Sequence, residues 1–241
     1  MKRTFAFADL HGRYDLYQKI EEYVSPEDTL ICLGDCIDRG PDGIKIVDAL
    51  RQRENTIYIK GNHEDMAATA IPFLLSGRIF NDNIDLWFFN HGEKTWDSMM
   101  GKNEADYAKF FDSLPVEYKY INKKGQEIIL THAGGHPPRK IEIDLLWNRR
   151  HFHLPWPQDP EYQNTFYIHG HTPVQYLKFK IGYDGNWPDS SMDIDDAFDK
   201  WDPQAIWYAD GHKVDIDLGS AFTGKTVLLD LDTFEEIYIE V

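Results

Sequence analysis

Short apolar runs alternate with amphipathic stretches in the first third of the chain. A run of four or five apolar residues bounded by turn-forming residues is typical of a buried strand, and apolar residues three or four apart indicate a helix. These patterns predict strands at 3–12, 29–35 and 55–64 and helices at 14–24, 44–50 and 64–72. Such an alternation is typical of a parallel sheet that is covered by helices.

The rest of the chain is richer in strands. Helical patterns continue at 84–89 and 104–114, where Pro115 ends the second one. Six β-like runs follow, at 116–122, 126–134, 165–173, 214–220, 226–232 and 235–241. Neither an internal repeat nor a low-complexity linker separates the two halves. We therefore predict a single α/β domain over residues 1–241, with both halves sharing one core.

The chain is strongly acidic. Its 41 acidic and 25 basic residues give a net charge of −16, and ten Asp but only two Lys lie between Asp184 and Asp217. Nucleic-acid-binding surfaces are basic, so this composition argues against a nucleic-acid partner. The segment 183–213 is predicted to be an acidic insertion, and its Asp-rich part, 193–202, lacks the glycine and the terminal glutamate of a calcium-binding loop.

Cysteine usage and apolar runs bear on the compartment. No run approaches eighteen apolar residues, and no early stretch has the pattern of an export signal, so no membrane partner is expected. Cys32 and Cys36 flank Gly34, which is a poor arrangement for a structural disulfide, and they are expected to be reduced core residues. We expect a cytoplasmic, monomeric protein.

Polar side chains follow five of the apolar runs directly. They are Asp9 and His11, then Asp35, then Asn62 and His63, then His132, and finally His171. A lone aspartate after a strand is usually a turn or cap residue, but ligands of open α/β sheets bind outside the carboxyl ends of the strands, where these residues would meet. Oxygen and imidazole ligands without thiolate suit Mn, Fe or Zn. The pattern predicts a metal centre.

The motifs around these residues resemble those of a known family. In chain order they are "DLHG" at 9–12, "GDCIDRG" at 34–40, "GNHE" at 61–64, "HAG" at 132–134 and "GHTP" at 170–173. Together they resemble the calcineurin-like metallophosphoesterases, and most closely the phosphoprotein phosphatase branch, which includes bacterial and phage serine/threonine phosphatases and symmetrical diadenosine tetraphosphatases. The resemblance implies a central β-sandwich of mixed sheets flanked by helices.

The resemblance also implies a ligand set for two divalent cations, Mn in the first place and Fe or Zn as alternatives. Asp9 and His11 would bind the first cation, and Asp35 would bridge both. The second would be held by Asn62, His132 and His171. A bridging carboxylate suits cations about 3.5 to 4 Å apart, between which a water becomes a hydroxide that attacks phosphorus in line.

Acid and phosphate-binding roles follow from the same resemblance. His63 would protonate the leaving group, and Asp38 would orient the imidazole of His63. Arg39 would bind phosphate oxygens through its planar guanidinium, with Asn62 also contacting the phosphate. Arg149 in "LLWNRR" matches the Leu-Trp-x-Arg pattern of bacterial members and is the second expected phosphate-binding arginine; Arg150 is the less favoured neighbour.

Three functions stay open at this point. The first is hydrolysis of phosphomonoesters, with phosphoserine or phosphothreonine proteins or small phosphoesters as substrates. The second is hydrolysis of dinucleoside polyphosphates, for which the segment 136–156 offers tryptophan and basic residues. The third is a phosphate-sensing scaffold without catalysis, which would need a broken ligand set, whereas all six ligand positions are intact. Pro173 stands where nucleases of the wider superfamily have a second histidine, which favours the phosphatase branch.

Overall fold

The computed structural model describes residues 2–78, 80–137, 144–177, 193, 196 and 200–241. The helices in these ranges are α1 (Tyr14–Tyr23), α2 (Gly43–Gln52), α3 (Asn62–Leu75), α4 (Asp82–Phe89), α5 (Glu93–Met99), α6 (Glu104–Ser113) and α7 (Ser220–Thr223). None of these helices combines the length and the apolarity that crossing a bilayer requires. About half of the predicted acidic insertion, and the basic pair Arg139 and Lys140, lie outside the described residues.

The strands form two five-stranded sheets. They are β1 (Thr4–Phe7), β2 (Thr29–Cys32), β3 (Thr56–Tyr58), β4 (Glu117–Ile121), β5 (Glu127–Thr131), β6 (Thr165–His169), β7 (Ile206–Tyr208), β8 (Lys213–Asp215), β9 (Lys225–Asp230) and β10 (Glu236–Glu240). The strand orders are β10-β9-β1-β2-β3 and β4-β5-β6-β8-β7. In the first sheet β1, β2 and β3 are parallel, and β9 and β10 join them as antiparallel strands. In the second sheet the parallel strands β5, β6 and β8 lie between the antiparallel edge strands β4 and β7. The predicted α/β fold with a sandwich of mixed sheets flanked by helices is confirmed.

Alternation along β1 shows how the layers are held together. Phe5 and Phe7 pack into the cluster that includes the buried faces of α1 to α6. Ala6 and Ala8 belong to the other cluster, together with apolar residues of β5, β6 and β8. Because successive side chains of a strand point to opposite faces, one strand contributes to both cores. The large side chains fill the space under the helices, and the small ones lie between the sheets.

Three elements differ from the sequence prediction. Helix α3 begins at Asn62 and continues through Pro72 to Leu75, because Phe73 and Leu74 pack against the core and outweigh the one backbone hydrogen bond that the proline cannot make. Helix α5 was not predicted, since it buries only Thr95 and Met99. Strand β7 was also missed, because its three residues lie within an acidic segment that was predicted as a loop.

The two cysteines are reduced and buried, as predicted. Their sulfur atoms lie 3.1 Å apart. Burial raises the pKa of Cys32 and raises that of Cys36 further. Both side chains are therefore thiols that pack in the core beneath the loop that carries Asp35.

A lysine lies fully buried in the second sheet. Lys213 on β8 places its Nζ 2.9 Å from His136 Nδ1 and donates to the carbonyl of His151 at 3.1 Å. Burial lowers the pKa of Lys213 to about 7. Desolvation disfavours the ammonium form, so the folded protein releases this proton at a pH where the unfolded chain retains it.

This release predicts a pH dependence of stability. Between pH 7 and the ordinary lysine pKa of 10.5, the unfolded state binds more protons than the folded state, so the free energy of unfolding rises with pH. We expect the wild-type curve from pH 7.5 to 9.5 to rise more steeply than that of Lys213→Met by about 1.4 kcal/mol per pH unit. Urea denaturation at several pH values measures both curves. Parallel curves would contradict the neutral buried amine.

Candidate functional site

Strand ends bring the predicted ligands to one edge of the sandwich. One short stretch follows β1, a second follows β2, and others follow β3, β5 and β6. The structure buries all of the side chains that these stretches contribute to the predicted ligand set: Asp9, His11, Asp35, Asn62, His132 and His171. The carboxyl ends of strands from both sheets therefore meet around one point, as the sequence predicted.

Asp35 lies at the centre of this arrangement. Its Oδ2 atom is 3.4 Å from His132 Nε2, 3.7 Å from His11 Nε2 and 3.8 Å from His63 Nε2. Two compact sets of possible metal ligands share this carboxylate, one with His11 and His63 and the other with His132 and His171. A carboxylate common to two neighbouring ligand sets has the position that a bridging ligand requires.

The second ligand set converges closely. His132 uses Nδ1 for a 2.8 Å contact with the Leu33 carbonyl, which leaves Nε2 facing the centre. Asn62 Oδ1 lies 2.9 Å from both His132 Nε2 and His171 Nδ1, and the two nitrogens are 3.2 Å apart. Ligands about 2.1 Å from a shared cation are separated by about 3.0 to 3.4 Å. The donor atoms therefore fit a divalent metal ion.

The first ligand set is less compact. His11 Nδ1 lies 2.9 Å from the Ile37 carbonyl, so Nε2 faces Asp35. Asp9 accepts a 3.0 Å hydrogen bond from the His171 backbone through Oδ2, while its Oδ1 is buried and has no partner among the described residues. The compact set contains His63 and not Asp9. The metal-ligand role of Asp9 stays a prediction, and its unsatisfied oxygen fits that role.

Charge in the site suits the binding of cations. Burial by itself raises the pKa of a carboxyl, but the adjacent His132, His63 and His11 hold the pKa of Asp35 well below its ordinary value. Burial lowers the pKa of His11 and His171 well below the ordinary value, which favours their neutral imidazoles, whereas the Asp35 carboxylate raises the pKa of His132 in spite of its burial. An ionised carboxylate and neutral imidazoles are the forms that coordinate divalent metals.

His63 and Asp38 form a buried pair. His63 Nδ1 lies 2.6 Å from Asp38 Oδ2, and the same oxygen accepts a 2.9 Å hydrogen bond from Trp87 Nε1. The Asp38 backbone donates to Thr95 Oγ1 at 2.8 Å. The predicted orienting partner is thus fixed from two sides. Sequence reasoning missed Trp87 and Thr95, since nothing in the motifs indicates contacts with residues 49 and 57 positions away.

Glu64 supports the loop that carries Asp35. Its carboxylate accepts hydrogen bonds from the backbone amides of Asp35, Cys36 and Gly61 at 2.8 to 3.0 Å, and from the Tyr58 hydroxyl at 2.8 Å. A buried carboxylate with four donors fixes the backbone around it. The motif "GNHE" contains this residue, but sequence reasoning assigned it no role. The signal was its position at the third residue of α3, where glutamate forms a capping box.

Several site residues adopt a strained backbone. Non-glycine residues rarely have positive φ, and such conformations cluster at functional sites. Positive φ angles between 44° and 74° occur at Asp9, His11, Asp35, Asp38, Arg39 and His171. The glycines of two motifs allow close approach, because a Cβ at Gly61 would overlap Asp35 Oδ1 and one at Gly170 would overlap Asp9 Oδ2.

Both predicted phosphate-binding arginines line one groove beside the ligand sets. Arg39 and Arg149 share it with His171. The Arg39 Nη2 atom lies 3.4 Å from His63 Nε2, so its guanidinium is adjacent to the predicted acid. Arg150 begins a short 3₁₀ turn and is not among the groove-lining residues. The structure therefore brings Arg149, the favoured arginine, to the site.

Two further buried carboxylates lie at the end of β8 and just after it. Asp217 accepts a 2.9 Å hydrogen bond from the Gly219 backbone, and Asp215 accepts one from the Asp217 backbone at 3.1 Å. Burial is the main cause that raises the pKa of Asp217 to about 6. Burial and the charges of Asp217 and Asp35 raise the pKa of Asp9 well above its ordinary value. Sequence reasoning missed these residues, which alternate with apolar ones in "VDIDLGS". A bound cation would offset the burial and the mutual repulsion that raise these pKa values, and would favour the ionised carboxylates.

Two other buried histidines, His151 and His169, do not belong to the ligand sets. His169 Nε2 lies 2.6 Å from the Tyr208 hydroxyl, which is itself 2.9 Å from His151 Nδ1. These contacts place both imidazoles in a buried hydrogen-bond network of the second sheet. Half of the Asp-rich segment 193–202, which was compared with a calcium-binding loop, falls outside the described residues.

Comparisons with known proteins agree with this geometry. A family model described as calcineurin-like phosphoesterase matches residues 2–214. Serine/threonine-protein phosphatase 1 of Salmonella typhimurium is 32% identical over 161 residues, which cover 61% of this chain and 69% of that protein. The symmetrical bis(5'-nucleosyl)-tetraphosphatase of Baumannia cicadellinicola is 28% identical over 146 residues, which cover 59% of this chain and 46% of the relative.

Structural similarity extends over the whole chain. A metallophosphoesterase from Sphaerobacter thermophilus superposes with a TM-score of 0.54 at 16% identity, covering 100% of this chain and 88% of that one. At this identity the likeness concerns the fold. The sequence alignments are shorter, since a Caenorhabditis elegans relative is covered over only 36% of its length. The chain thus spans less than half the length of two of its curated relatives.

Proposed function

The chain belongs to the calcineurin-like phosphoesterase family, and on that basis we propose that it hydrolyses phosphomonoesters at a centre of two divalent cations. The family itself supports a metal-dependent hydrolase of phosphoesters. The observation that carries the finer proposal is the position of Asp35 between two ligand sets, with the His63–Asp38 pair and Arg39 beside them. These are the parts that a hydrolytic phosphoryl transfer needs.

The ligand sets fit the cations that the family implies. His11 and Asp35, with Asp9 adjacent, would hold one cation, and Asp35 with Asn62, His132 and His171 would hold the other. When bound, such cations neutralise phosphoryl charge and activate water near neutral pH. We propose Mn²⁺ for both positions, because hard oxygen ligands and imidazole suit it, with Fe or Zn as alternatives.

The protein's own side chains supply the remaining steps. Arg39 and Arg149 bind the phosphate oxygens in the groove, which holds the phosphorus next to Asp35. His63 donates its Nε2 proton to the departing oxygen, because Nδ1 is engaged by Asp38 and cannot face the substrate. Asp38 stabilises the imidazolium and is itself held by Trp87. Asn62 contacts the phosphate from the start of α3, where the helix dipole favours an anion.

Phosphoserine or phosphothreonine in proteins is the first substrate class that we propose, and small phosphomonoesters follow. The similarity to the Salmonella phosphatase supports it. A dinucleoside polyphosphate is the second candidate, supported by the similarity to the tetraphosphatase and by Trp147, whose ring lies 6.0 Å from that of His171. We retain a cytoplasmic monomer as the proposed state. A scaffold without catalysis is disfavoured, because no predicted ligand is missing from the site.

Metal removal followed by substrate comparison tests this function. We expect the chelator-treated protein to lose hydrolysis of p-nitrophenyl phosphate and to regain it with Mn²⁺, with two metal ions bound per chain by elemental analysis. The reloaded protein is then assayed in parallel with phosphoserine, phosphothreonine and phosphotyrosine peptides and with diadenosine tetraphosphate. Full activity without metal would overturn the mechanism. A kcat/KM a hundredfold higher for the dinucleotide would overturn the first substrate choice.

A further inference from the structure

The groove that contains the two arginines is larger than a phosphate group requires. Its volume is about 530 Å³, which lies in the range of sites that enclose whole small molecules. Arg39, Arg149 and His171 form the side next to the ligand sets. The remaining wall is therefore available to the group that carries the phosphate.

Two exposed phenylalanines stand on that wall. Phe89, the last residue of α4, is 85% exposed, and Phe222 in α7 is 62% exposed. The two residues are 133 positions apart in sequence, yet both line the same groove. Leaving a large apolar side chain in water is unfavourable, and its burial against a ligand is favourable. Two exposed rings beside one binding groove therefore indicate contact with a ligand.

Phe89 is held in a fixed relation to the catalytic groups. Trp87, two residues earlier on α4, is fully buried and donates to Asp38. The carbonyl of His91, two residues later, accepts the backbone N–H of Arg39 at 3.2 Å. Phe89 therefore lies between two direct attachments to the predicted acid pair and the phosphate-binding loop. The backbone that carries the ring is thus already ordered, which lowers the entropy cost of binding a ligand there.

The backbone around Phe222 is also held by hydrogen bonds. The N–H of Phe222 donates to the Gly219 carbonyl at 2.8 Å, and the carbonyl of Ser220, two residues earlier, accepts from Arg13 Nη1 at 3.1 Å. Gly219 adopts a left-handed conformation with φ 68° directly before α7. Both rings are therefore presented by short, hydrogen-bonded segments next to the site.

We propose that Phe89 and Phe222 bind a planar aromatic group on the leaving side of the scissile phosphate. Aromatic rings stack on such a group face to face or edge to face, and the two guanidiniums favour a ligand that also carries phosphate. A nucleobase and a phenol ring share this chemistry. The inference rests on the proposed phosphomonoesterase activity and deepens it: an aromatic group beside the phosphate gains kcat/KM from contact with the two rings.

Matched substrates isolate the contribution of the aromatic group. Adenosine 5'-monophosphate and ribose 5-phosphate have the same primary alkyl leaving group and differ in the base. Phosphotyrosyl and phosphoseryl peptides with identical flanking residues form the second arm. We expect Phe89→Ala and Phe222→Ala each to lower the aromatic-to-nonaromatic ratio of kcat/KM about tenfold in at least one arm. Phe80→Ala is the control, because Phe80 is 91% exposed and does not line the groove.

The outcomes identify the kind of aromatic group and separate a failure of the aromatic site from a failure of the proposed phosphomonoesterase activity. A fall in the ratio confined to the nucleotide arm supports a nucleobase, and a fall confined to the peptide arm supports a tyrosyl ring. Unchanged ratios in both arms overturn the aromatic site, provided that thermal melting shows both variants folded. If the wild type hydrolyses no phosphomonoester, the proposed function fails. Calorimetric binding of adenosine 5'-monophosphate and ribose 5-phosphate then decides the groove, and equal affinities would overturn it.

Discussion

Asp35→Asn is expected to abolish turnover and to reduce the bound metal from two ions per chain toward one or none. The Oδ2 atom of Asp35 is near three imidazole nitrogens, and both ligand sets include this carboxylate. Asparagine keeps the shape but removes the negative charge and replaces one oxygen by an amide donor, which cannot bind a cation. We expect kcat to fall by at least about a thousandfold.

A second buried aspartate provides the matched control. Asp28 is equally buried and accepts hydrogen bonds from the backbones of Arg3 and Ser25, but it does not belong to either ligand set. Asp28→Asn should lower stability while the metal content and kcat stay at wild-type values. Elemental analysis and activity assays on the folded variants measure both effects. An Asp35→Asn protein with two metals and normal turnover would refute the proposed centre.

Replacement of His63 by alanine is expected to have the next largest effect, and the size of the effect should depend on the leaving group. An alkoxide leaves with a proton, so alkyl phosphates should be hydrolysed about 10² to 10⁴ times more slowly by His63→Ala. The nitrophenolate ion leaves without a proton, so p-nitrophenyl phosphate should be affected much less. Steady-state kinetics on both substrates, at saturating Mn²⁺, gives the comparison.

Asp38→Asn and an exposed histidine complete this test. Asp38 contacts His63 Nδ1 at 2.6 Å, so the asparagine variant should show the same dependence on the leaving group in milder form. His153→Ala, at an exposed position away from the groove, should change neither substrate. Equal losses on alkyl and nitrophenyl phosphates in His63→Ala would exclude the acid role and indicate a structural or metal-binding role instead.

Local pattern in the sequence determined the elements and the ligand types. Apolar runs near residues 30 and 128 predicted β2 and β5, because backbone preference and side-chain alternation act over a few residues. The position of Asp35 and His132 directly after those runs predicted a shared rim. The weakly patterned α5 and the three-residue β7 were missed, because tertiary contacts hold them in place more than their own sequence does.

The tertiary structure alone decided which distant side chains meet. The contact of Trp87 with Asp38 and the presence of Phe89 and Phe222 in one groove depend on how α4 and α7 pack beside the sheets. No periodicity or spacing encodes such contacts, since they arise from the packing of elements that are far apart in the chain. The sequence by itself thus determined the kind of chemistry, through residues that follow their strands directly, and the packing decided the surroundings that orient the acid and face the substrate.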